Sequence, residues 1–349
     1  MKNKLLYFVL FCLMIIGMTG CGKTKEKEGV IGLQDLKPIE SVSEETSVST
    51  GETISKIQTN TKEETVSNEG EISKEKTVSN DNGKVKVDLI IFSGQSNMSG
   101  SGGDAVQAPA LLDGAGGEFR AISDPTCLYT IIEPFGFYEN TDVINDGYAK
   151  RGTLVTSFIN AYYQETGIPV VAVSAARNGT SSAYWATVAV REDLLYRYRT
   201  AKEWLNNNGY EIRYQFIVFL QGENDVIEKT PIDQYLSNMY LVSESLYQEG
   251  LNQFFMIRIG GTKTDPDAFS QLVAVQTELC RTNPKFMLAS TVLSAYTGKD
   301  MTDTYHYSQQ VLNDLGDDAG TNCGKYANTQ VEPSFYDYKY KDMYIPQQK

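Results

Sequence analysis

Histidine is almost missing from this chain: His306 is the one histidine among 349 residues. A metal centre built on several imidazoles is thereby excluded, and any step that needs an imidazole base has a single candidate. One histidine cannot serve as both base and ligand, so no metal or other cofactor is expected. Cysteine is sparse as well, with five residues. Cys12 lies in an apolar N-terminal run and Cys21 just behind it, which leaves Cys127, Cys280 and Cys323 for the remainder. Three cysteines close one disulfide at most, so the fold does not rest on a disulfide framework. Positive charge is short: 31 Lys and Arg face 44 Asp and Glu, a net charge of −13. No basic stripe appears, which argues against nucleic acid as a partner. Residues 22–84 hold no aromatic side chain and are rich in Ser, Thr, Glu and Lys. Such a segment cannot bury enough apolar surface to offset its ordering entropy, so it reads as disordered. Its near-repeat, residues 62–68 (KEETVSN) against 74–80 (KEKTVSN), has nothing to stack on and is low complexity, not a solenoid.

What is present begins with a secretory signal over residues 1–20. Lys2 and Lys4 form the basic start, Leu5 to Met18 the apolar core, and Met18-Thr19-Gly20 the small-residue exit. The apolar run is too short for a comfortable membrane span. Met18-Thr19-Gly20-Cys21 resembles the bacterial lipobox, with Met18 in the place of the usual leucine. The resemblance implies cleavage before Cys21 and lipidation of that cysteine. The chain would then be exported and held on the outer face of the bacterial cell membrane by its lipid alone. The alternative is a plain signal peptide followed by an incidental cysteine. Residues 21–84 read as a flexible tether, and residues 85–349 as one domain with an ample core.

Within that domain apolar runs alternate with amphipathic ones. Strands are expected at Val85 to Phe92, Ile168 to Ser174, Arg213 to Leu220, Gln253 to Gly260 and Phe286 to Ser290. Helices are expected at Thr153 to Glu165, Glu192 to Asn207, Ile232 to Gln248, Pro266 to Arg281, and from His306 or Ser308 to about Leu315. Runs such as Phe216-Ile217-Val218-Phe219-Leu220 are apolar throughout, as in parallel strands covered on both faces. The fold class is therefore α/β: a three-layer α/β/α sandwich around a central, mostly parallel five-stranded sheet, with right-handed crossovers. Ligands of such sheets bind beyond the carboxyl ends of the strands. The stretch 99–150 is long, Gly-rich and without clear period; it either wraps one side of the site or is irregular surface.

Four strand-end loops carry polar clusters. The first is Gly94-Gln95-Ser96-Asn97-Met98, where a serine on a sharp turn after a buried strand stands as a nucleophile should. Alone it is also ordinary turn chemistry. The last is Asp303-Thr304-Tyr305-His306, in which an acid three residues before the single histidine can reach its ring. The second loop, Ala175 to Thr180, contains Gly179, whose backbone N–H can approach a substrate oxygen closely; a plain strand-to-helix turn is the other reading. The third, Gln221-Gly222-Glu223-Asn224-Asp225, offers Asn224 as an oxyanion donor or a helix cap. Glu223 and Asp225 are too close in sequence to flank a glycosidic bond freely.

These pieces in this order resemble the SGNH (GDSL-type) hydrolase superfamily, and within it the sialic-acid-specific acetylesterase-like carbohydrate esterases. The resemblance rests on Gly94–Met98, on Gln221-Gly222-Glu223, and on His306-Tyr307-Ser308 with Leu315-Gly316; Glu133-Pro134-Phe135 also looks like a family element. It covers about residues 87–320 and leaves the Tyr-rich end, 321–349, outside. Asn178 stands where the family tends to place a first glycine before threonine. The resemblance implies a flavodoxin-like SGNH hydrolase fold and a Ser96–His306–Asp303 triad. It implies an oxyanion hole from the Ser96 and Gly179 N–H groups and the Asn224 amide. The implied reaction is removal of O-acetyl groups from a carbohydrate, either plant polysaccharide or sialic acid. Gln95, Arg177, Trp185 and Glu223 are the candidate substrate contacts. Two readings stand for Trp185 and Tyr184, which either stack on a sugar or form half-buried core, and two for Arg177, a partner for a sugar carboxylate or a solvated charge. The rival functions are an esterase of the same superfamily acting on lipid or aryl esters, and a non-catalytic glycan-binding lipoprotein.

Overall fold

A computed structural model describes residues 30–31, 83–145 and 149–347. The signal segment, Cys21 and nearly all of the tether with its near-repeat lie outside the described residues.

The longest apolar runs make the middle of one sheet. β2 (Val85–Gly94) is buried from Val87 onward. It pairs in parallel with β5 (Val170–Ala176) on one side and β6 (Tyr210–Leu220) on the other. Beyond β6 come β7 (Gln253–Ile257) and β8 (Phe286–Ser290), both parallel. The five expected strands thus lie in the order β5-β2-β6-β7-β8. The chain leaves β2 for one neighbour and later returns to the other. This is the switch point at which doubly wound sheets open a crevice.

The sheet has eight strands, not five. β3 (Gly116–Phe119) adds in parallel to β5; β4 (Leu128–Tyr129) pairs antiparallel with β3, and β1 (Val30–Ile31) antiparallel with β4. These strands are two to four residues long, too short to show a period, and β3 begins with two glycines. The open edge of β5 recruits them. β1 falls within the segment read as tether; its β-branched pair suits an edge strand.

The helices fall near their expected places: α2 at Val155–Thr166, α4 at Val188–Asn207, α6 at Ile232–Gln248 and α7 at Ser270–Thr282. The last, α8, runs Gln309–Thr329, well past Leu315. Gly316 and Gly320 explain its path. A Cβ on either would lie 2.4 Å from the Leu154 carbonyl oxygen or 2.3 Å from that of Phe158, so α8 packs directly on the backbone of α2. After α8, β9 (Phe335–Asp337) and β10 (Asp342–Tyr344) form a hairpin.

Asp88 sits fully buried inside β2 and is completely matched. Arg213 donates to both its oxygens (3.0 and 2.5 Å), joined by the Tyr162 hydroxyl (2.6 Å) and the Tyr214 N–H (3.0 Å). Cys127, Cys280 and Cys323 form no disulfide among the described residues. Among the described residues no helix is long and apolar enough to cross a membrane.

Candidate active site

Three strand ends meet at the crevice. Gly94 closes β2 at φ +135°, and a Cβ there would lie 2.0 Å from the Leu220 carbonyl oxygen. Only glycine passes so close to the neighbouring strand. The Gln95 N–H then donates to Leu220 O and the Arg177 N–H to Gly94 O, each at 2.9 Å, so the loops after β5, β2 and β6 lie side by side. Ser96 opens the short helix α1 (Ser96–Ser99) and is 5% exposed.

The residues flanking Ser96 hold the other loops to it. Gln95 Oε1 accepts the N–H groups of Gly222 (3.2 Å) and Asn224 (3.3 Å), with the Gln221 amide at 3.5 Å. Asn97 Nδ2 donates to Glu223 Oε1 (2.8 Å) and to the Tyr305 carbonyl (3.1 Å). Asn97 Oδ1 accepts the Tyr307 N–H at 3.3 Å. One carboxamide therefore bonds the backbone on both sides of His306.

His306 lies in a tight loop closed by the Thr302 N–H donating to His306 O (2.9 Å). Its Nδ1 is 2.7 Å from Asp303 Oδ2, while Asp303 Oδ1 accepts the N–H groups of Tyr305 (2.9 Å) and His306 (3.0 Å). Burial alone would raise the Asp303 carboxyl, but the His306 ring and these two N–H groups bring it below the usual range. Nδ1 is engaged, and Nε2 has no partner among the described residues.

The third loop supplies two buried acids at the start of α5 (Glu223–Glu228). Burial pushes the Glu223 carboxyl up, opposed by its own N–H and by Asn97, and its Oε2 has no partner. Asp225 accepts the Ser182 N–H (2.8 Å) and hydroxyl (2.5 Å), which ties this loop to α3 (Ser182–Trp185). Asn224 is half-buried, and its carboxamide makes no hydrogen bond within the described residues. Gly179 is exposed at φ +64° with open space around it. Asn178, beside it, accepts the Ser101 hydroxyl at 2.8 Å, linking the second loop to the first.

Not every candidate substrate contact reaches the surface. Trp185 is fully buried, edge-on to Phe219, with its N–H donated to Thr180 Oγ1 at 3.0 Å. It is core, and no sugar can stack on it. Gln95 is 1% exposed and occupied by the third loop, so it is a clamp and not a substrate contact. Glu223 is 3% exposed behind Asn97. Arg177 is half-buried, its guanidinium 4.8 Å over the Tyr184 ring and bonded to the Tyr184 hydroxyl (2.6 Å) and the Val143 carbonyl. Sequence reasoning missed the bracketing role of Asn97. Its partners lie 126 and about 210 residues away, and no local signal points to them.

A mostly parallel α/β sandwich with these polar loops beyond its strand ends opens its crevice where such folds bind ligands, and the family match makes the chain a carboxylic ester hydrolase. The chain belongs to the carbohydrate esterase family of sialic acid-specific acetylesterases, whose family model matches residues 86–323. Similar solved structures include a protein from Arabidopsis thaliana, 18% identical, covering 69% of this chain and 98% of its own, at a TM-score of 0.49. NanS is 13% identical, covering 71% of this chain and 99% of its own, at a TM-score of 0.48. A carbohydrate acetylesterase from Xanthomonas citri is 14% identical, covering 72% and 60%, at a TM-score of 0.45. The family match, not these likenesses, carries the assignment. No curated protein matches the chain.

Proposed function

We propose that this protein is a serine esterase removing O-acetyl groups from carbohydrates, with Ser96 as nucleophile, His306 as base and Asp303 as its orienting acid. One observation carries the reading: Asn97, next to Ser96, bonds the backbone on both sides of a histidine whose Nδ1 faces a carboxylate 2.7 Å away. Nδ1–H donating to Asp303 leaves Nε2 as the acceptor. Nε2 takes the hydroxyl proton as Ser96 Oγ bonds to the acetyl carbonyl carbon. The oxyanion accepts hydrogen bonds from the Ser96 and Gly179 N–H groups and the Asn224 carboxamide. The sugar oxygen departs with the proton from Nε2. Water then adds to the acyl-serine, giving its proton to Nε2; acetate leaves and Ser96 recovers its hydrogen.

The substrate class is an acetylated polysaccharide or sialic acid, and the half-buried Arg177–Tyr184 pair is the candidate contact beside the serine. Export and a lipid on Cys21 would hold the enzyme at the outer face of the membrane, and a Cys21→Ser chain should then fail to incorporate labelled palmitate. The decisive experiment measures acetate release from acetylated xylan and O-acetylated sialic acid, with long-chain esters for comparison. Ser96→Ala and His306→Ala should each lower turnover roughly 10³-fold or more while leaving the protein folded. Near-normal hydrolysis by either variant would refute the triad, and a preference for long-chain esters would refute the substrate class.

A further inference from the structure

We propose that the β9–β10 hairpin carries an aromatic platform for a polymeric glycan, extending the substrate site across the carboxyl end of the sheet. The kind of glycan rests on the esterase reading above; the platform itself rests on the following geometry.

Tyr162, Tyr163, Tyr198, Tyr210, Tyr235 and Tyr307 are each at most 2% exposed, while Tyr138, Tyr196, Tyr240 and Tyr305 reach the surface at separate places in the chain. The hairpin brings three exposed tyrosines together within five residues. Tyr336, Tyr338 and Tyr340 are 46%, 37% and 51% exposed. Tyr336 and Tyr338 meet edge to face at 5.1 Å. None of the three hydroxyls has a partner among the described residues. A pyranose has an apolar face of C–H groups and a rim of hydroxyls, and a tyrosine offers a ring face and a hydroxyl to match.

The display is rigid. Asp337 and Tyr344 face inward, buried at 3% and 2% exposure, and Phe335 stacks on Tyr344 at 5.2 Å. Asp337 takes a forked ion pair from the buried Arg258 at 2.5 and 2.6 Å, and its Oδ1 also accepts the Lys339 and Tyr340 N–H groups. The Arg258 guanidinium lies 5.6 Å from the centre of the Tyr340 ring. A backbone anchored in this way loses little freedom when a ligand binds.

The platform shares an end of the sheet with Ser96. Arg258 follows β7, and Thr291, which follows β8, accepts the Tyr338 N–H (3.4 Å) and donates to Tyr336 O (3.1 Å). Lys339 Nζ donates to the Pro266 carbonyl at 3.2 Å. Three residues on, Phe269 stacks at 6.5 Å on Tyr305, the neighbour of His306. A chain of contacts thus runs from the neighbour of His306 to the hairpin. β8 stands three strands from β2, about 14 Å at ordinary strand spacing, which a sugar chain spans and one sugar ring does not. The hairpin also lies beyond residue 323, where the family match ends.

The test uses the full chain carrying Ser96→Ala, so that bound polymer stays acetylated. Its retention on acetylated xylan, acetylated glucomannan and acetylated pectin is compared with that of the same protein also carrying Tyr336→Ala, Tyr338→Ala and Tyr340→Ala. At least one polymer should hold the parent, and the triple change should weaken that retention roughly tenfold or more. If the triple variant melts early, Tyr336→Ala and Tyr340→Ala singly should each weaken retention about two- to tenfold. Equal retention overturns the proposal, as does a parent that none of the polymers holds. A triple variant that keeps the polymer but loses anionic phosphatidylglycerol vesicles also overturns it, in favour of a membrane contact. Hydrolysis of an aryl acetate by the Ser96 chain is read separately. Its absence would refute the esterase reading while leaving the retention comparison to judge the platform.

Discussion

Asn97 needs both faces of its carboxamide. Nδ2 donates to Glu223 and to the Tyr305 carbonyl, and Oδ1 accepts from the Tyr307 N–H. Aspartate at this position would lose both donors and set a second charge beside the buried Glu223. Asn97→Ala and Asn97→Asp are therefore expected to lower kcat about 10²-fold with a smaller change in KM, because His306 is displaced and substrate contacts are not. Steady-state kinetics on an aryl acetate checks this, and an unchanged kcat would show that the bracket is dispensable. Gln95 performs the same kind of work on the third loop. From the sequence, Ser96, His306 and Asp303 could be proposed as a set because one histidine leaves one choice. The jobs of Gln95 and Asn97 were not, because their partners sit on loops more than a hundred residues away.

Among the elements, α2 shows how the long segment 99–150 is put to use. Its N-cap residue, Leu154, has no side-chain hydrogen bond to give. Glu133 supplies the cap from the preceding loop. It accepts the N–H and hydroxyl of Thr153 at 2.7 and 2.8 Å and those of Thr156 at 3.4 and 2.9 Å. Glu139 does likewise for the N–H groups of Ile122 and Ser123. A segment ordered by carboxylates bonding to backbone shows no apolar period, which is why the sequence left it unread. Glu133→Ala should cost about 2–3 kcal/mol of stability, the range for lost hydrogen bonds to a charged group. Urea unfolding measures it, and Glu133→Gln, which keeps an acceptor, should fall between the variant and the parent.

At the scale of the whole molecule, the strands added outside β5 carry a titrating group into the interior. Glu118 on β3 is 2% exposed and bonded to Arg120 at 3.0 Å. Burial, only partly opposed by Arg120, pushes its carboxyl from 4.5 up to about 6. Between those values the folded protein still holds a proton that the unfolded chain has released. Stability therefore falls as pH rises through that window, by about 2 kcal/mol at 1.36 kcal/mol per unit. Unfolding free energies at pH 4.5 and 6.5 should show this loss in the parent, and in Glu118→Gln the decline should be smaller by about that amount. An equal decline in both proteins would assign the slope to other groups.

Apolar content and its alternation determined the layered α/β class, the five long strands and most of the helices, because burial of a continuous strand or an amphipathic helix is written locally. The identity of the scarce residues pointed to the chemistry. The strand order, the three short edge strands and the full length of α8 required the folded chain. Each depends on an edge or backbone surface supplied by a distant segment: β5 for β3, and α2 for Gly316 and Gly320. The same holds at the crevice. The sequence named a serine, a histidine and an acid; only tertiary structure decided that Asn97 joins them, that Trp185 is core, and that the tyrosines of the last hairpin face outward. A side chain's partner and exposure are set by what packs against it, and that is a property of the whole fold.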